Sequence, residues 1–421
     1  MPKIIRSSEV SLKFTNHGKL GNLSAFMAEY RNVVQSIVDH VWENGVAVGS
    51  RVFSIKEESP NVPSFLPLSA VPVMNTTLSA RAVKCASTQA MSMISAAVTR
   101  RRKDLFCRNK CLQAGTSTPK AVQDRLSKNL VRPCATRVKA ELNSICAKVS
   151  WDSGTSFDGW LKLSSLGKVY GVINIPIKKH RHINSLIKTG TQLNSVLINK
   201  NTVGLRFEMR PTENNGTEVV GADSGMKTVL TLSNGDATVE KDKHGHSLES
   251  ICESISRKKR GSKACKAKRE HRKNFINHAL NKINFNGISE IRLEKIHNIN
   301  NGRRTSRKLT AWTSTLIRDK VKSLAEIKNV SFVQQGSAYR SQRCSKCGNV
   351  RKANRKGKVY SCRRCGLSID ADLNAARNHE QNLNPVPAAF FRTKVNLGDG
   401  FLWLPAGVFN LSGAELTVPL S

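Results

Sequence analysis

Acidic side chains are scarce in this sequence. Its 421 residues contain 30 Asp and Glu but 68 Lys and Arg, which gives a formal net charge of +38 and an isoelectric point near 10.2. An excess of this size is too large for an ordinary solvated surface and indicates a polyanionic partner. Nucleic acid is the main expectation, well ahead of an anionic membrane surface.

Aromatic residues and long apolar runs are scarce as well. Aromatic residues make up 5% of the chain, so base stacking should contribute less to binding than neutralisation of backbone phosphates. No stretch approaches the roughly 18 to 20 apolar residues of a membrane span, and the opening MPKIIRSSEVSLKF lacks the apolar segment of a secretory signal. We therefore expect a cytoplasmic, nucleoid-associated protein that is not secreted and that binds neither a membrane nor a small-molecule substrate.

Cysteine usage argues against a disulfide framework. Four of the 11 cysteines form two Cys-x-x-Cys pairs, and the others are scattered. An odd total without a secretory signal is typical of a reducing compartment. Cys107 and Cys111 lie four residues apart, but no histidine or second pair nearby makes them convincing metal ligands.

The two cysteine pairs predict a metal site. Cys344/Cys347 and Cys362/Cys365 have the spacing of a four-thiolate zinc ribbon. A glycine follows each pair, where a tight turn is needed. Four thiolates complete a tetrahedral shell and leave no open position, so we predict a structural zinc ion.

The N-terminal half alternates between strand and helix patterns. Residues 3–14 alternate as a strand does, and residues 23–42 carry an apolar stripe with the period of a helix. Residues 78–100 and 120–148 are Ala-rich and predicted to be helical, and short β-branched runs resume near residue 157. We predict a β-domain interrupted by a helical insert, with two unrelated small domains in series as the alternative.

A second pattern of strands and helices begins at residue 218. EVVGADSG contains an apolar strand, an Asn-Gly pair then gives a strong hairpin signal, and ISEIRLEKI and NVSFVQQ are further short strands. Helices are predicted in the C-terminal part of the basic segment 257–283 and over 311–327. This order predicts an α/β domain with a mixed sheet.

Acids in three separate elements are candidate ligands for catalytic metal ions. Asp223 follows an apolar strand, Glu294 ends the ISEIRLE strand, and Asp370 and Asp372 open an alanine-rich helix. Hydrolysis of a phosphodiester by two divalent ions requires carboxylates from separate elements that converge. Each acid also has an ordinary interpretation, as a turn residue, a surface ion pair or a helix N-cap, and the residues alone leave both open.

These segments together resemble one known family. VVGADSGMK, EIRLEKI, AYRSQRCSKCG and CRRCGLSIDADLNAARN, in this order and spacing, are similar to the RuvC-like domain of the TnpB family. That family comprises transposon-encoded RNA-guided nucleases, to which the miniature type V CRISPR effectors are related. The resemblance implies that Asp223, Glu294 and Asp372 are catalytic acids that hold Mg²⁺ or Mn²⁺, and that Asp370 is more simply the cap of the helix.

The resemblance also implies a domain plan and partners. It divides the chain into a wedge-like β-barrel (1–20 and 150–217), a helical recognition insert (21–149), an RNase H-like, RuvC-type nuclease domain (218–338 and 367–382) with a four-cysteine zinc ribbon (339–366), and a C-terminal tail (383–421). The implied function is endonucleolytic cleavage of double-stranded target DNA directed by a bound guide RNA, with a homodimer as one expected form.

Basic side chains of the segment 257–283 and of the helix that follows Asp372 are predicted to contact nucleic acid. These residues are Arg257, Lys258, Lys259, Arg260, Lys268, Arg269, Arg272, Lys273 and Arg377. A solvated helix face is the alternative for the segment. Asn374 and Arg377 would face the acids or the substrate if the helix points that way, and ordinary helix surface is the alternative for both.

Three other functions stay open beside a transposon-borne nuclease: a miniature CRISPR effector, a DNA-binding regulator with an inactive nuclease centre, and a transposase that acts directly on its element. The intact acids disfavour the regulator, and the lack of a tyrosine or serine nucleophile motif disfavours the transposase. Two features depart from the family pattern. His379 stands where an aliphatic residue is usual, and the apolar segment after residue 385 is a disordered tail, a packed β-hairpin or a partner-binding strand.

Overall fold

The computed structural model describes residues 3–48, 51–54, 62–72, 74–151, 154–296, 306–384, 386 and 400–416. The chain divides into two compact units, residues 3–210 and residues 211–421. Parts of the predicted nuclease domain (297–305) and of the predicted tail (387–399 and 417–421) lie outside the described residues. Within the described ranges, no helix is both long and apolar enough to cross a membrane.

The N-terminal unit combines long helices with small antiparallel sheets. Its strands are β1 (Ile4–Ser11), β2 (Val46–Val48), β3 (Arg51–Phe53), β4 (Ala140–Leu142), β5 (Ala147–Trp151), β6 (Gly159–Leu163), β7 (Ile173–Ile177), β8 (Gly190–Ile198) and β9 (Thr202–Met209). Its helices are α1 (His17–Asn44), α2 (Ala80–Gln113), α3 (Lys120–Leu126) and α4 (Arg181–Thr189), with a 3₁₀ turn at Leu68–Ala70.

Helix α1 forms where the sequence carries its apolar stripe. Asn16 caps the first turn by accepting a hydrogen bond from the Lys19 amide (3.0 Å). Phe26, Tyr30 and Ile37 are fully buried in the core of this unit. Because residues three or four apart share one face of a helix, the predicted stripe becomes the surface that packs against α2 and the strands.

The strands of this unit pair in open sheets. The largest has the order β1-β9-β8-β4, β5-β6-β7 form a second sheet, and β2 pairs with β3. A barrel requires its two edge strands to hydrogen-bond to each other, but β4 has three residues and pairs with β8 alone. The predicted β-barrel is therefore not confirmed, since the described strands form no closed sheet.

The helix predicted over residues 120–148 is wrong beyond its first turns. Helix α3 is seven residues long, and Pro133, which cannot donate a helical hydrogen bond, lies in the extended segment that follows. Asn143 then turns the chain between β4 and β5 by accepting hydrogen bonds from the amides of Ile145 (3.0 Å) and Cys146 (3.2 Å). Buried residues alternate in β4, a strand period that the Ala-rich composition concealed.

The C-terminal unit carries the remaining elements. Its strands are β10 (Glu218–Ser224), β11 (Leu230–Leu232), β12 (Ile288–Lys295), β13 (Ser331–Gly336), β14 (Asn349–Val350), β15 (Arg355–Lys356), β16 (Val359–Ser361), β17 (Ser368–Asp370), β18 (Phe401–Leu404) and β19 (Gly407–Phe409). Its helices are α5 (Leu248–Ser256), α6 (Lys263–Leu280), α7 (Arg307–Ala311), α8 (Ser314–Ile327) and α9 (Ala371–Glu380), with a 3₁₀ turn at Lys352–Asn354.

A four-stranded mixed sheet forms the centre of this unit. Its order is β11-β10-β12-β13, with β10 antiparallel to β11 and with β10, β12 and β13 parallel. Val220, Ala222, Ile291 and Leu293 of the two middle strands are buried. The structure thus confirms the predicted α/β domain with a mixed sheet, and α9 packs against β10, β11 and β12.

The described part of the C-terminal segment is a β-hairpin packed on the ribbon. Strands β18 and β19 pair with each other, and β18 also pairs with β14 beside the first cysteine pair. Phe401 and Trp403 are buried with Val350 and Leu383, and Trp403 Nε1 donates to the Asn384 carbonyl (3.0 Å). Of the three alternatives for this segment, the structure supports the packed hairpin for residues 401–409.

Candidate functional site

Asp223 and Glu294 lie at one edge of the mixed sheet. Each is the next-to-last residue of its strand, β10 and β12, and these neighbouring strands run parallel. The carboxyl ends of parallel strands meet at the same edge, so the two acids come together although they are distant in sequence. The Ser224 amide (3.1 Å) and hydroxyl (2.6 Å) both donate to Glu294 Oε1 and orient that carboxylate.

His379 of α9 is the third group at this edge. Potential ligand atoms of Asp223, Glu294 and His379 all lie within 4.8 Å of one another. His379 is 1% exposed, and its Nδ1 is buried without a hydrogen-bond partner. Burial, together with the positive charge of Arg340, lowers the pKa of His379 to about 3, so the imidazole is neutral. In the sequence, His379 was notable only because the TnpB family usually has an aliphatic residue at this position.

Asp372 opens the helix that carries His379. The Asp370 carboxylate accepts hydrogen bonds from the amides of Asp372 (2.8 Å) and Leu373 (3.0 Å). The prediction that Asp370 is the N-cap of α9 is therefore confirmed. The cap leaves the Asp372 carboxylate available for other contacts.

Two cations of the ribbon hold the Asp372 carboxylate. Arg355 of β15 lies 3.1 Å from Asp372 Oδ1, and Lys358, which precedes β16, lies 3.0 Å from Oδ2. No pattern in the sequence indicated this role of Arg355 and Lys358. The structure places Asp372 near Asp223 and Glu294, but as the partner of two ribbon side chains.

Negative charge is crowded at this edge of the sheet. Burial, and after it the carboxylates of Glu294 and Asp372, raise the pKa of Asp223 well above its usual value. Burial also raises the pKa of Glu294, against the two hydrogen bonds from Ser224. Carboxylates that share a site resist simultaneous ionisation, and a divalent cation relieves that repulsion. The oxygen ligands of Asp223 and Glu294 therefore fit Mg²⁺ or Mn²⁺.

The backbones of β10 and α9 touch at Gly221. A Cβ added there would lie 2.0 Å from the Ala376 carbonyl oxygen and 2.2 Å from the Glu380 amide nitrogen. Only glycine permits such an approach of two backbones. This contact sets the distance between Asp223 and the helix that carries His379.

The four ribbon cysteines converge on one point. Sulfur–sulfur distances are 3.6 Å for Cys344 and Cys365 and 3.6 Å for Cys347 and Cys362, and all four Sγ atoms lie within 4.8 Å of one another. A tetrahedral zinc site with Zn–S bonds of about 2.3 Å has edges of about 3.8 Å. The glycine after each pair has a positive φ, as the predicted tight turns require. The cluster therefore has the dimensions of a tetrathiolate zinc site.

Buried asparagines of α9 fasten the segment around the first cysteine pair to this helix. Asn374 donates to the Arg343 carbonyl (2.7 Å) and accepts from the Ser345 amide (3.0 Å). Asn378 donates to the carbonyls of Arg340 (2.9 Å) and Arg343 (2.7 Å). Asn374 is fully buried and hydrogen-bonded to Arg343 and Ser345, so it is not ordinary helix surface and instead holds the ribbon in place.

The predicted nucleic-acid contacts have different surroundings. The exposed members are Arg257 at the end of α5, Lys259 and Arg260 in the following turn, Arg269 and Lys273 on α6, and Arg377 on α9. Lys258 and Lys268 are half-buried. Arg272 differs from the rest, because it is half-buried and donates to the Ala311 carbonyl, which ties α6 to α7.

The stretch that carries the ribbon and most of α9 matches a known family. Residues 316–379 match the family described as Cas12f1-like, TNB domain. The CRISPR-associated endodeoxyribonuclease Cas12f1 of Sulfoacidibacillus thermotolerans is 39% identical over 93 residues, which is 22% of this chain and 22% of that protein. The matched part thus spans less than a quarter of the relative's length.

Two solved structures align with this chain at low sequence identity. A Cas12f1–sgRNA–target DNA complex covers 90% of this chain and 99% of that chain at 10% identity, with a TM-score of 0.43. Alicyclobacillus acidoterrestris C2c1 in complex with single-guide RNA covers 71% of this chain and 61% of that chain at 10% identity, with a TM-score of 0.41. Residues 316–379 thus match the Cas12f1-like TNB domain family, and over this part of the chain the predicted resemblance to the TnpB family and the miniature type V CRISPR effectors is confirmed.

Proposed function

We propose that this protein is an RNA-guided DNA endonuclease of the TnpB and Cas12f1 type. The observation that carries the proposal is the convergence of Asp223 and Glu294 at one edge of the mixed sheet, in the unit that also contains the Cas12f1-like TNB segment. The relative matched in sequence is named an endodeoxyribonuclease, and the match covers 22% of it. The activity of the whole chain is therefore our inference.

The topology of the C-terminal unit supports a RuvC-type nuclease domain over 218–338 and 367–382. A hairpin followed by two further strands parallel to its first member is part of the strand order of an RNase H-like sheet. Helix α9 closes one face of this sheet and supplies the last acid. The proposal places the zinc ribbon, 339–366, as an insertion immediately before that helix.

Two divalent ions, Mg²⁺ or Mn²⁺, would be held by Asp223, Glu294 and Asp372. Such ions, when bound, supply charge stabilisation for the attacking and leaving oxygens of a phosphodiester. Asp372 has to exchange its ion pairs with Arg355 and Lys358 for this role. The ribbon residues Arg355 and Lys358 would therefore influence whether Asp372 can bind a metal ion.

Other residues of the chain hold the carboxylates in position and exclude water from them. Ser224 fixes the orientation of Glu294 through two hydrogen bonds. Gly221 sets the approach of α9 to β10. Asp372 and His379 are both buried, so the carboxylates act in a place where charge interactions are stronger than in bulk water.

The proposed zinc is structural. Cys344, Cys347, Cys362 and Cys365 would hold it as thiolates, and a closed tetrahedral shell leaves no position for substrate. Asn374 and Asn378 connect this ribbon to α9. Zinc would therefore support the position of Asp372 indirectly.

Guide RNA and double-stranded target DNA are the proposed partners. A net charge of +38 and the exposed cations of α6 and α9 support contacts with the phosphates of a nucleic-acid duplex. In RNA-guided nucleases base pairing reads the sequence while the protein reads duplex shape and a short flanking motif. We propose the exposed residues Arg257, Lys259, Arg260, Arg269, Lys273 and Arg377, with Lys258 and Lys268, as phosphate contacts.

The decisive experiment is to express the full chain with its native flanking DNA, purify it and sequence the RNA that co-purifies. A discrete RNA supports the proposal, and its origin separates the two forms of it. A guide derived from the end of a mobile element indicates a TnpB-type nuclease, and a repeat-derived guide indicates a CRISPR effector. Recovery of heterogeneous RNA alone would contradict RNA guidance. Light scattering on the purified complex distinguishes a monomer from a homodimer.

Cleavage of DNA that matches the recovered RNA tests the acids. Asp223→Ala, Glu294→Ala and Asp372→Ala should each abolish cleavage and leave RNA binding nearly unchanged, because a carboxylate does not attract the phosphates of RNA. Asp236→Ala is the matched control, since Asp236 is an exposed carboxylate in the turn after β11 and should cut normally. Full cleavage by one of the three variants would remove that residue from the site. RNA-directed binding without cutting by the unaltered protein would instead identify a regulator.

A further inference from the structure

We propose that His379 is a ligand of the catalytic metal ion and shifts the preference of the site from Mg²⁺ towards Mn²⁺. The inference rests on the proposed function in one respect, since it assumes that Asp223 and Glu294 bind a divalent cation. It adds a nitrogen ligand to a site otherwise composed of carboxylates.

The geometry around His379 supports coordination. One ring nitrogen lies within 4.8 Å of both a carboxylate oxygen of Asp223 and one of Glu294. Atoms that bind one cation at about 2.0–2.2 Å lie roughly 3 to 4.5 Å apart. Small side-chain rotations would therefore bring all three groups onto one ion.

The ring is also a buried polar group that lacks a partner. His379 is 1% exposed, and Nδ1 is buried without a hydrogen bond. Nearly all buried polar atoms of folded proteins have a partner, and those without one often mark a functional site or a bound ion. A cation held jointly with Asp223 and Glu294 supplies the missing interaction.

Packing alone does not explain a histidine here. The position faces the contact between α9 and β10, where Gly221 lies against the backbone of Ala376 and of His379 itself. An aliphatic side chain would fill such a place without burying a polar atom. The nearby cation Arg340 repels a protonated ring and offers it no acceptor. The carboxylates of Asp223 and Glu294 lie close enough to share a cation with a ring nitrogen.

A nitrogen ligand changes which cation the site prefers. Mg²⁺ strongly favours oxygen ligands in a regular octahedron, whereas Mn²⁺ and the later transition metals accept imidazole. The all-oxygen set of Asp223 and Glu294 suits either ion. An imidazole ligand from His379 should therefore increase the affinity of the site for Mn²⁺ more than its affinity for Mg²⁺.

Pulsed electron paramagnetic resonance of bound Mn²⁺ tests the proposal directly. The protein is the full chain without RNA, with zinc retained in the ribbon and one equivalent of Mn²⁺ added. Asp242, His246 and His271 form another group whose ligand atoms lie within 4.8 Å of one another. The parent protein therefore carries His246→Gln and His271→Gln, so that any ¹⁴N signal from imidazole does not arise from that group.

The parent protein should show the hyperfine coupling of one imidazole nitrogen to Mn²⁺. His379→Ile should abolish the coupling and weaken Mn²⁺ binding by roughly tenfold or more, with a smaller loss for Mg²⁺, as calorimetric titration measures. His379→Gln, which keeps a polar side chain but no imidazole, should also lose the coupling. Absence of a nitrogen coupling in the parent protein would overturn the proposal, as would a coupling that survives in His379→Ile. Because the first measurement needs no change at His379, a poorly folded variant does not prevent a decision.

Failure of this inference is distinguishable from failure of the proposed function. The resonance experiment requires neither guide RNA nor cleavage, so a nitrogen coupling establishes the ligand even if no guide is found. If Asp223→Ala abolishes guided cleavage while the parent protein shows no nitrogen coupling, the nuclease stands and only the role of His379 is refuted.

Discussion

A methyl group added at Gly221 should move β10, which carries Asp223, away from α9, which carries Asp372 and His379. In Gly221→Ala the new Cβ would lie 2.0 Å from the Ala376 carbonyl oxygen, whereas real Cβ contacts below 3.0 Å essentially never occur. Strand β10 and helix α9 therefore have to move apart by about 1 Å. Overpacking costs about 1–3 kcal/mol, and we expect the upper end because backbone opposes the methyl and no side chain can rotate away.

The displacement should appear in stability and in function. For a unit of this size, about 3 kcal/mol corresponds to a fall in Tm of roughly 6–12 °C, which calorimetry measures on the C-terminal transition. A shift of about 1 Å between catalytic groups can reduce the reaction rate by about 100-fold. Mn²⁺ affinity, cleavage rate and Tm should therefore all fall in the variant.

Gly336→Ala is the matched control. Gly336 ends β13 in the same sheet, its φ is not positive, and no heavy atom lies within 4 Å of an added Cβ. Its Tm should stay within roughly 2 °C of the unaltered protein, with unchanged metal affinity. If Gly221→Ala behaves like this control, the close approach of β10 and α9 does not position the site, and our reasoning about the site geometry is refuted.

Three further predictions concern the acids, the ribbon and the C-terminal hairpin. Because the pKa of Asp223 is raised, the folded metal-free protein holds a proton more tightly than the unfolded chain does, so stability should fall as pH rises from about 4 through the raised pKa. Denaturant titrations should therefore show Asp223→Asn to be more stable than the unaltered protein at neutral pH and equal to it near pH 4; a constant difference across pH would contradict this. Cys344→Ser should lose zinc, by elemental analysis, and thermal stability together, and an undiminished Tm in the zinc-free variant would refute the structural role. Trp403→Ala should destabilise the ribbon sheet by about 3–5 kcal/mol, because Trp403 is buried, whereas the exposed Leu411→Ala should change little; equal Tm values for the two would show that the hairpin is not part of the stable unit.

Much of the fold was predictable because its signals are local. The stripe of α1, the alternation of β1 and the turn glycines of the ribbon depend on residues that are neighbours in the sequence. The prediction over 120–148 was wrong because the Ala-rich composition conceals the strand period of β4. A barrel was expected from the resemblance, but the described strands form no closed sheet. Strand pairing joins distant segments, and no local pattern encodes it.

The sequence by itself determined the cysteine spacing, the order of the three acids and the cap at Asp370, since each depends on residue type at a fixed separation. Only the tertiary structure decided that His379 reaches Asp223 and Glu294, and that Arg355 and Lys358 hold Asp372. Those contacts join segments far apart in the chain, and their distances follow from how closely β10, α9 and the ribbon pack. Packing of that kind depends on the whole core, so no pattern within one segment can predict it.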